Sequence, residues 1–260
     1  NMSVGDRVAI NTILTCGTCF WCMRGQQAVC PNMAVAGFMA DGGLAEFMVW
    51  PADHLVPMPD SISDVEGPLL EPATVAVHGV RRSGVKPGDT VAVIGCGTVG
   101  LLTLQAFKAA GVRVIAIDVR ALSLELATHL GADEVVNSRD EQAAASRILE
   151  LTNGIGPDIV IETAGAKETP RMAIEWARRG GTVLLIGIYS TKPEIDFNSI
   201  VGTEKTVIGS VATSPGDLEA AVELVAGGKI NVKPLISEVV PLSRAIEDGF
   251  NRMLDPNKKV

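Results

Sequence analysis

Aromatic residues are scarce in this chain, 4% of 260 residues, so its interior has to be built from Val, Ile, Leu and Ala. The hydrophobic share of 47% is too high for wholesale disorder, and the length suffices for one large or two ordinary domains. Basic charge is also short: 22 Lys and Arg stand against 30 Asp and Glu, a formal charge of −8. No broad basic face is available to neutralise a phosphate backbone, which excludes nucleic acid as an expected partner. No run of 18 apolar residues occurs, the longest being interrupted by Gly, Asp or Arg, so no membrane span is expected. The opening NMSVGDRVAI lacks the basic region and apolar core of a signal peptide, and a cytoplasmic location is expected. Internal repeats and low-complexity tracts are absent.

What is present divides by texture. Residues 1–72 carry Gly, Pro and short β-prone pieces, DRVAI, GGLAEFMVW and HLVPMP, expected as irregular antiparallel strands around a long loop. From residue 73 onward, apolar runs alternate with helical patterns. Strands are expected at 90–95, 112–117, 134–137, 158–162, 182–187 and 206–211. Helices are expected at 98–110 and near 121–130, 141–152, 169–178 and 218–228. Alternation at this spacing predicts a doubly wound parallel α/β sheet with right-handed crossovers. Beyond residue 229, VKPLISEVVPL and SRAIEDGFNRML read as a strand and a helix outside the repeat, returning to the first domain.

The first chemical motif is VIGCGTVG, in which Gly95, Gly97 and Gly100 follow a buried strand and open a helix. In that position Gly95 permits a tight turn, Gly97 lets backbone approach a pyrophosphate, and Gly100 lets helix and strand pack closely. The free amides of the helix start, including those of Thr98 and Val99, would face the phosphates. Asp118 ends the next strand, 18 residues beyond Gly100, where a carboxylate accepts from ribose hydroxyls and repels a 2′-phosphate. NAD is therefore expected over NADP, with Arg120 the feature that could soften the repulsion; the competing reading is a βα turn with no ligand. Cys96, inside the turn, receives no catalytic role.

The second motif is CGTCFWCMRGQQAVC, which gathers Cys16, Cys19, Cys22 and Cys30. Four thiolates can surround zinc tetrahedrally and leave no open position, so this metal would pin a loop and perform no chemistry. An iron–sulfur centre, disulfides or free thiols are the alternatives. Phe20 and Trp21 are expected to pack this lobe.

Together the motifs resemble the zinc-dependent medium-chain alcohol dehydrogenase family, particularly its polyol, threonine and butanediol branches. GDRVAI, the four-cysteine loop, DGGLAEFMVWPADHLVPMPD, LLEPATVAVHGV, VKPGDTVAVIGCGTVG and GADEVVN match successive landmarks in order, across essentially the whole chain. The resemblance implies a nucleotide-binding Rossmann domain, 73–228, inserted into a GroES-like catalytic domain made of 1–72 and 229–260. It implies a homodimer or homotetramer, with an alcohol or polyol passing hydride to NAD. A second, catalytic zinc is also implied, with Glu71 as a ligand or as a carboxylate beside the metal-bound water; read alone, a Glu before Pro at a domain boundary is more simply an ordinary solvated linker residue. Thr163, Ala164, Gly165, Ile186, Gly187 and Ile188 occupy strand ends where the nicotinamide half is expected to rest. His54, His78 and His129 are given no ligand role.

The sequence departs from the family pattern in three places. The Cys and Gly-His-Glu segments that relatives use as further catalytic zinc ligands do not occur in it, so it is expected to be incomplete in front of GDRVAI and inactive alone. ATSPGD follows VIGSV without the arginine of sorbitol dehydrogenase-like enzymes, and the position five beyond Asp118 is Ser123 rather than a basic residue. Secondary alcohols and polyols are the expected substrates. Threonine or another amino-acid alcohol, or a binding scaffold without turnover, is the alternative.

Overall fold

A computed structural model describes residues 2–254. Its N-terminal part is built from two small antiparallel pairs. Strand β1 (Val8–Ile10) lies against β4 (Leu55–Pro57) in the register Ala9 to Val56, and β2 (Ile13–Leu14) lies against β3 (Ala34–Val35). The second pair closes the base of the cysteine loop, so the loop leaves and re-enters the domain at adjacent points.

Helix α1 (Leu70–Ser83) crosses the expected 72/73 boundary and leads into the alternating region. There β5 (Thr90–Ile94), β6 (Arg113–Asp118), β7 (Glu134–Asn137), β8 (Ile159–Glu162), β9 (Thr182–Leu185) and β10 (Thr206–Gly209) form one parallel sheet in the order β10-β9-β8-β5-β6-β7. The order reverses between β5 and β8, the arrangement of a Rossmann sheet, in which ligands bind outside the carboxyl ends of the strands at that reversal.

Alternate residues explain why these strands read as continuous apolar runs. Val91, Val93, Val114, Ala116, Ile159 and Ile161 face one core with α1, α2 (Thr98–Ala109) and α3 (Ala121–His129). Ala92, Ile94, Ile115, Ile117, Val160 and Val183 face the other, with α4 (Glu141–Leu151) and α5 (Thr169–Trp176). Both faces are covered, so neither can be polar. The short α6 (Asn198–Val201) precedes β10, and α7 (Asp217–Ala226) packs against α1. Ala9, Ile62, Leu70, Leu218 and Val222 form a smaller core that ties the N-terminal strands to α1 and α7.

Three expectations need correction. GGLAEFMVW, residues 42–50, is not a strand: Leu44, Phe47 and Val49 are exposed, and only the Trp50 indole is anchored, donating to the Asn11 carbonyl at 2.8 Å. An apolar run becomes a strand only where another strand satisfies its backbone, and no such neighbour occurs among the described residues. Among its described residues the tail holds no strand either. Pro234 opens a 3-10 turn over Lys233–Leu235, and after Pro241 the chain winds through a 3-10 turn, a π-helical stretch at Ala245–Phe250 and a last α-helical turn at Asn251–Met253. Before that, Ile230, Val232 and Leu235 remain buried in the core of the parallel-sheet domain, and Gln105 of α2 bonds the backbone of Asn231. Finally, β9 ends at Leu185, because the amides of Ile186 and Gly187 both turn onto the Glu162 carbonyl.

Candidate dinucleotide site and thiolate cage

The carboxyl end of β5 supplies the glycine turn, and each glycine has a different steric reason. Gly95 adopts φ +98°, and a Cβ there would lie 2.8 Å from the Ala164 amide nitrogen. A Cβ on Gly100 would collide with the Gly95 carbonyl oxygen and with Thr163 Oγ1, which is how α2 comes so close to β5. Gly97 differs: a Cβ there would meet nothing within 4 Å. Gly97 is the N-cap of α2, and no side chain caps that terminus. The helix start is thus left without a side-chain cap and with room beside Gly97, as phosphate binding requires.

Asp118 ends β6 and is buried. Its Oδ2 accepts from the Cys96 amide at 2.7 Å and its Oδ1 from the Arg120 amide at 2.8 Å, while Arg120 Nε stands 3.4 Å from Oδ1. One carboxylate thus shapes the glycine turn and presents charge at the strand end. Cys96 is buried and its thiol is pushed up by burial and by the neighbouring Asp118 charge, consistent with an inert packing residue. Ser123 is buried too, so it offers no surface at the adenosine side.

The ends of β8 and β9 come together through a device that the sequence does not announce. Thr163 Oγ1 donates to the carbonyls of Ile94 and Gly95, and Gly165, at φ +64°, passes so close to the Ile188 carbonyl that a Cβ would be 2.6 Å away. Beneath these turns lies Glu162, with no exposed surface. Its Oε1 accepts from the Ala164 and Gly165 amides and from Thr169 Oγ1, each at 2.8 Å, and its Oε2 accepts from the Tyr189 hydroxyl at 2.5 Å. Burial and the Glu162 charge both push the Tyr189 phenol up, so it keeps its proton. A glutamate closing the apolar run IVIE was the available signal.

The four cysteines converge as the spacing implied. Their sulfurs lie within 4.8 Å of one another, with Cys16–Cys30 at 3.6 Å, Cys19–Cys30 at 3.9 Å and Cys16–Cys22 at 4.0 Å. A tetrahedron with metal–sulfur distances of about 2.3 Å has edges of about 3.8 Å, so the set fits zinc. Disulfides need sulfurs about 2 Å apart, and all five cysteines are free. Backbone amides of Thr18 and Cys19 lower Cys16 to about 6, favouring the thiolate, whereas burial raises Cys22 to about 11. Phe20 and Trp21 meet edge to face at 5.6 Å, and the Arg24 guanidinium stacks 3.7 Å over Phe20. They pack on each other at the surface, both remaining exposed.

Glu71 stands in the first turn of α1 with Thr12 Oγ1 3.4 Å from its carboxylate. Although part of the side chain reaches solvent, crowding around the carboxyl raises its pKa, and Thr12 offsets this in part. The four-cysteine set is the one cluster of three or more metal-ligating side chains among the described residues, and Glu71 is outside it. His78 is likewise no ligand: it sits inside α1 with Nδ1 2.8 Å from Asp217, which also pairs with Arg81 and accepts from the Ser214 amide. His54 pairs with Asp53 at 2.9 Å, and His129 lies in the last turn of α3.

Residues 98–227 match the family described as zinc-binding dehydrogenase, and residues 1–60 match the alcohol dehydrogenase GroES-like domain. The β-rich N-terminal part is thus GroES-like. An alcohol dehydrogenase of Geobacillus stearothermophilus is 36% identical, the match covering 98% of this chain and 74% of the relative. A protein named "Probable D-xylulose reductase A" from Neosartorya fischeri is 38% identical over 97% of this chain and 72% of its own length. An alcohol dehydrogenase of Escherichia coli CFT073, solved with NADH, superposes with a TM-score of 0.89 at 28% identity, covering 97% of this chain and 74% of that one.

Proposed function

Because the chain belongs to the zinc-binding dehydrogenases of the medium-chain type, relatives of alcohol and polyol dehydrogenases, we propose that it serves hydride transfer between a secondary alcohol or polyol and NAD. The observation that carries this reading is the open space at Gly97, before an uncapped helix start and beside the buried carboxylate of Asp118. Phosphates would take the amides of Thr98 and Val99, and the adenosine ribose would take Asp118 with Arg120 at its flank. The nicotinamide half would rest on Thr163, Ala164 and Gly165 and on Ile186, Gly187 and Ile188. When bound, NAD supplies the hydride acceptor; the chain's own part is to hold it and to shape the turn beneath it.

We assign 1–72 and 229–260 to the catalytic domain and 73–228 to the nucleotide domain, with the exception that Ile230, Val232 and Leu235 pack in the core of the nucleotide domain; residues 255–260 lie outside those described. Zinc in the four-thiolate cage would have no open position, so the cage holds the loop between β2 and β3. Glu71 by itself does not make a three-ligand site among the described residues. The exposed edge strand β10 is where a second copy would pair to give a dimer or tetramer, which size-exclusion chromatography with light scattering reads directly.

The test is titration of the purified chain with NAD and NADP. Initial rates follow over secondary alcohols, polyols, threonine and butanediol, with the segments that carry the family's other metal ligands supplied. NAD binding and turnover of secondary alcohols or polyols is the expected result. Preference for threonine selects the amino-acid alcohol reading, and dinucleotide binding without any turnover selects the scaffold.

A further inference from the structure

Glu162 is an unusual group for the middle of a parallel sheet. It is a carboxylate with no exposed surface, and among the described residues no Lys, Arg or His pairs with it. Its partners are four donors: two backbone amides, the Thr169 hydroxyl and the Tyr189 hydroxyl. A carboxyl group ringed only by donors accepts in every bond, as an acceptor-only carboxylate does. The charge is therefore hydrogen-bonded but not neutralised, in surroundings where a charge acts at longer range than in water.

Its position gives that charge an object. Through Oε1 it fixes the turn at Ala164 and Gly165, and through Oε2 it holds Tyr189, two residues beyond Gly187. A Cβ on Gly187 would lie 2.3 Å from Oε2, so only glycine lets the second loop settle over the carboxylate. The two loops that Glu162 joins are those assigned above to the nicotinamide half of the coenzyme. The oxidised nicotinamide ring carries a positive charge and the reduced ring carries none.

We infer that Glu162 is a positioning residue that also discriminates between coenzyme forms: its buried, cation-free carboxylate clasps the two strand-end loops through Tyr189 and favours the oxidised ring over the reduced one. The inference rests on the nicotinamide assignment of the proposed function. A clasp alone would strengthen both forms alike, whereas a fixed negative charge strengthens only the form bearing positive charge.

The experiment measures dissociation constants for NAD by calorimetry and for NADH by fluorescence, in the unmodified chain, Glu162→Gln and Tyr189→Phe. Glutamine keeps an oxygen toward Ala164, Gly165 and Thr169 and turns its amide toward the Tyr189 oxygen, so it removes charge while retaining shape. The expected result is that Glu162→Gln weakens NAD relative to NADH by about fivefold. Tyr189→Phe should weaken both by a common factor of about three to ten and leave their ratio unchanged. Equal losses in Glu162→Gln, or an unchanged ratio, overturn the inference. If Glu162→Gln does not fold, Tyr189→Phe still decides: no loss for either form, or a loss confined to one, contradicts the clasp. Absence of dinucleotide binding in the unmodified chain would instead overturn the coenzyme reading itself.

Discussion

Gly97 and Gly100 look alike in sequence and differ in what surrounds them. A methyl group on Gly100 would strike the Gly95 carbonyl, whereas one on Gly97 would enter empty space. Gly97→Ala is therefore expected to leave the melting temperature within about 2 °C and weaken NAD binding at least about tenfold, because the methyl occupies room the pyrophosphate needs. Gly100→Ala should lower both stability and binding. Thermal melts beside dinucleotide titrations separate the two, and an unchanged affinity in Gly97→Ala would count against a phosphate at that turn. Asp118 carries a second residue-scale expectation. Removing it takes away the ribose acceptor and the repulsive charge together with the acceptor of the Cys96 and Arg120 amides. Asp118→Ala should weaken NAD by about tenfold or more and NADP by less, so that the preference narrows. Equal binding of NAD and NADP by the unmodified chain would show that Arg120 outweighs the carboxylate.

At the scale of elements, α1 and α7 are joined by a polar contact that no local pattern announces. Asp217 starts α7 without exposed surface, 139 positions from His78 in the chain. Burial pushes its carboxyl up, yet bonds from His78 and the Ser214 amide, with the charges of His78 and Arg81, outweigh this and hold it below the usual range. A depressed folded-state pKa adds stability above the ordinary carboxylate value, and that stability is lost as pH falls through the folded-state value. Asp217→Asn should cost about 3 kcal/mol at pH 7, and its deficit should shrink once pH drops below about 4. Urea midpoints at pH 7 and pH 3.5 check this; a deficit equal at both would assign the loss to packing.

For the molecule as a whole, the parallel sheet is self-sufficient and the cysteine lobe is not. The loop from β2 to β3 holds only two short 3-10 turns, Cys22–Arg24 and Gln27–Val29, and few buried side chains. About one zinc per chain is expected by elemental analysis, absent in Cys22→Ser. Its chelation should expose the segment to proteolysis between residues 15 and 33 while NAD binding persists. Loss of NAD binding at the same chelator concentration would mean that the two sites are coupled through the small core of Ala9, Leu70 and Leu218.

Periodicity and spacing were enough for what depends on neighbours along the chain. The four inner strands β5, β6, β8 and β9 are legible because both faces of the sheet are covered there and their residues must be largely apolar, while the more exposed edge strands β7 and β10 are legible from the alternation with helices. The glycine turn and the thiol cage were legible because each is closed by residues within a few positions of one another. Residues 42–50 and the strand expected in VKPLISEVVPL differ from the structure because an apolar stretch becomes a strand only if another strand lies beside it, whereas SRAIEDGFNRML is helical as expected. The carboxylates Glu162 and Asp217 acquired their roles from partners that folding brings to them, Tyr189 across two strands and His78 from another helix. Local sequence sets the period of an element and the chemistry of a turn. Which buried charge meets which donor is decided by packing, since only the tertiary structure removes the water that would otherwise satisfy both.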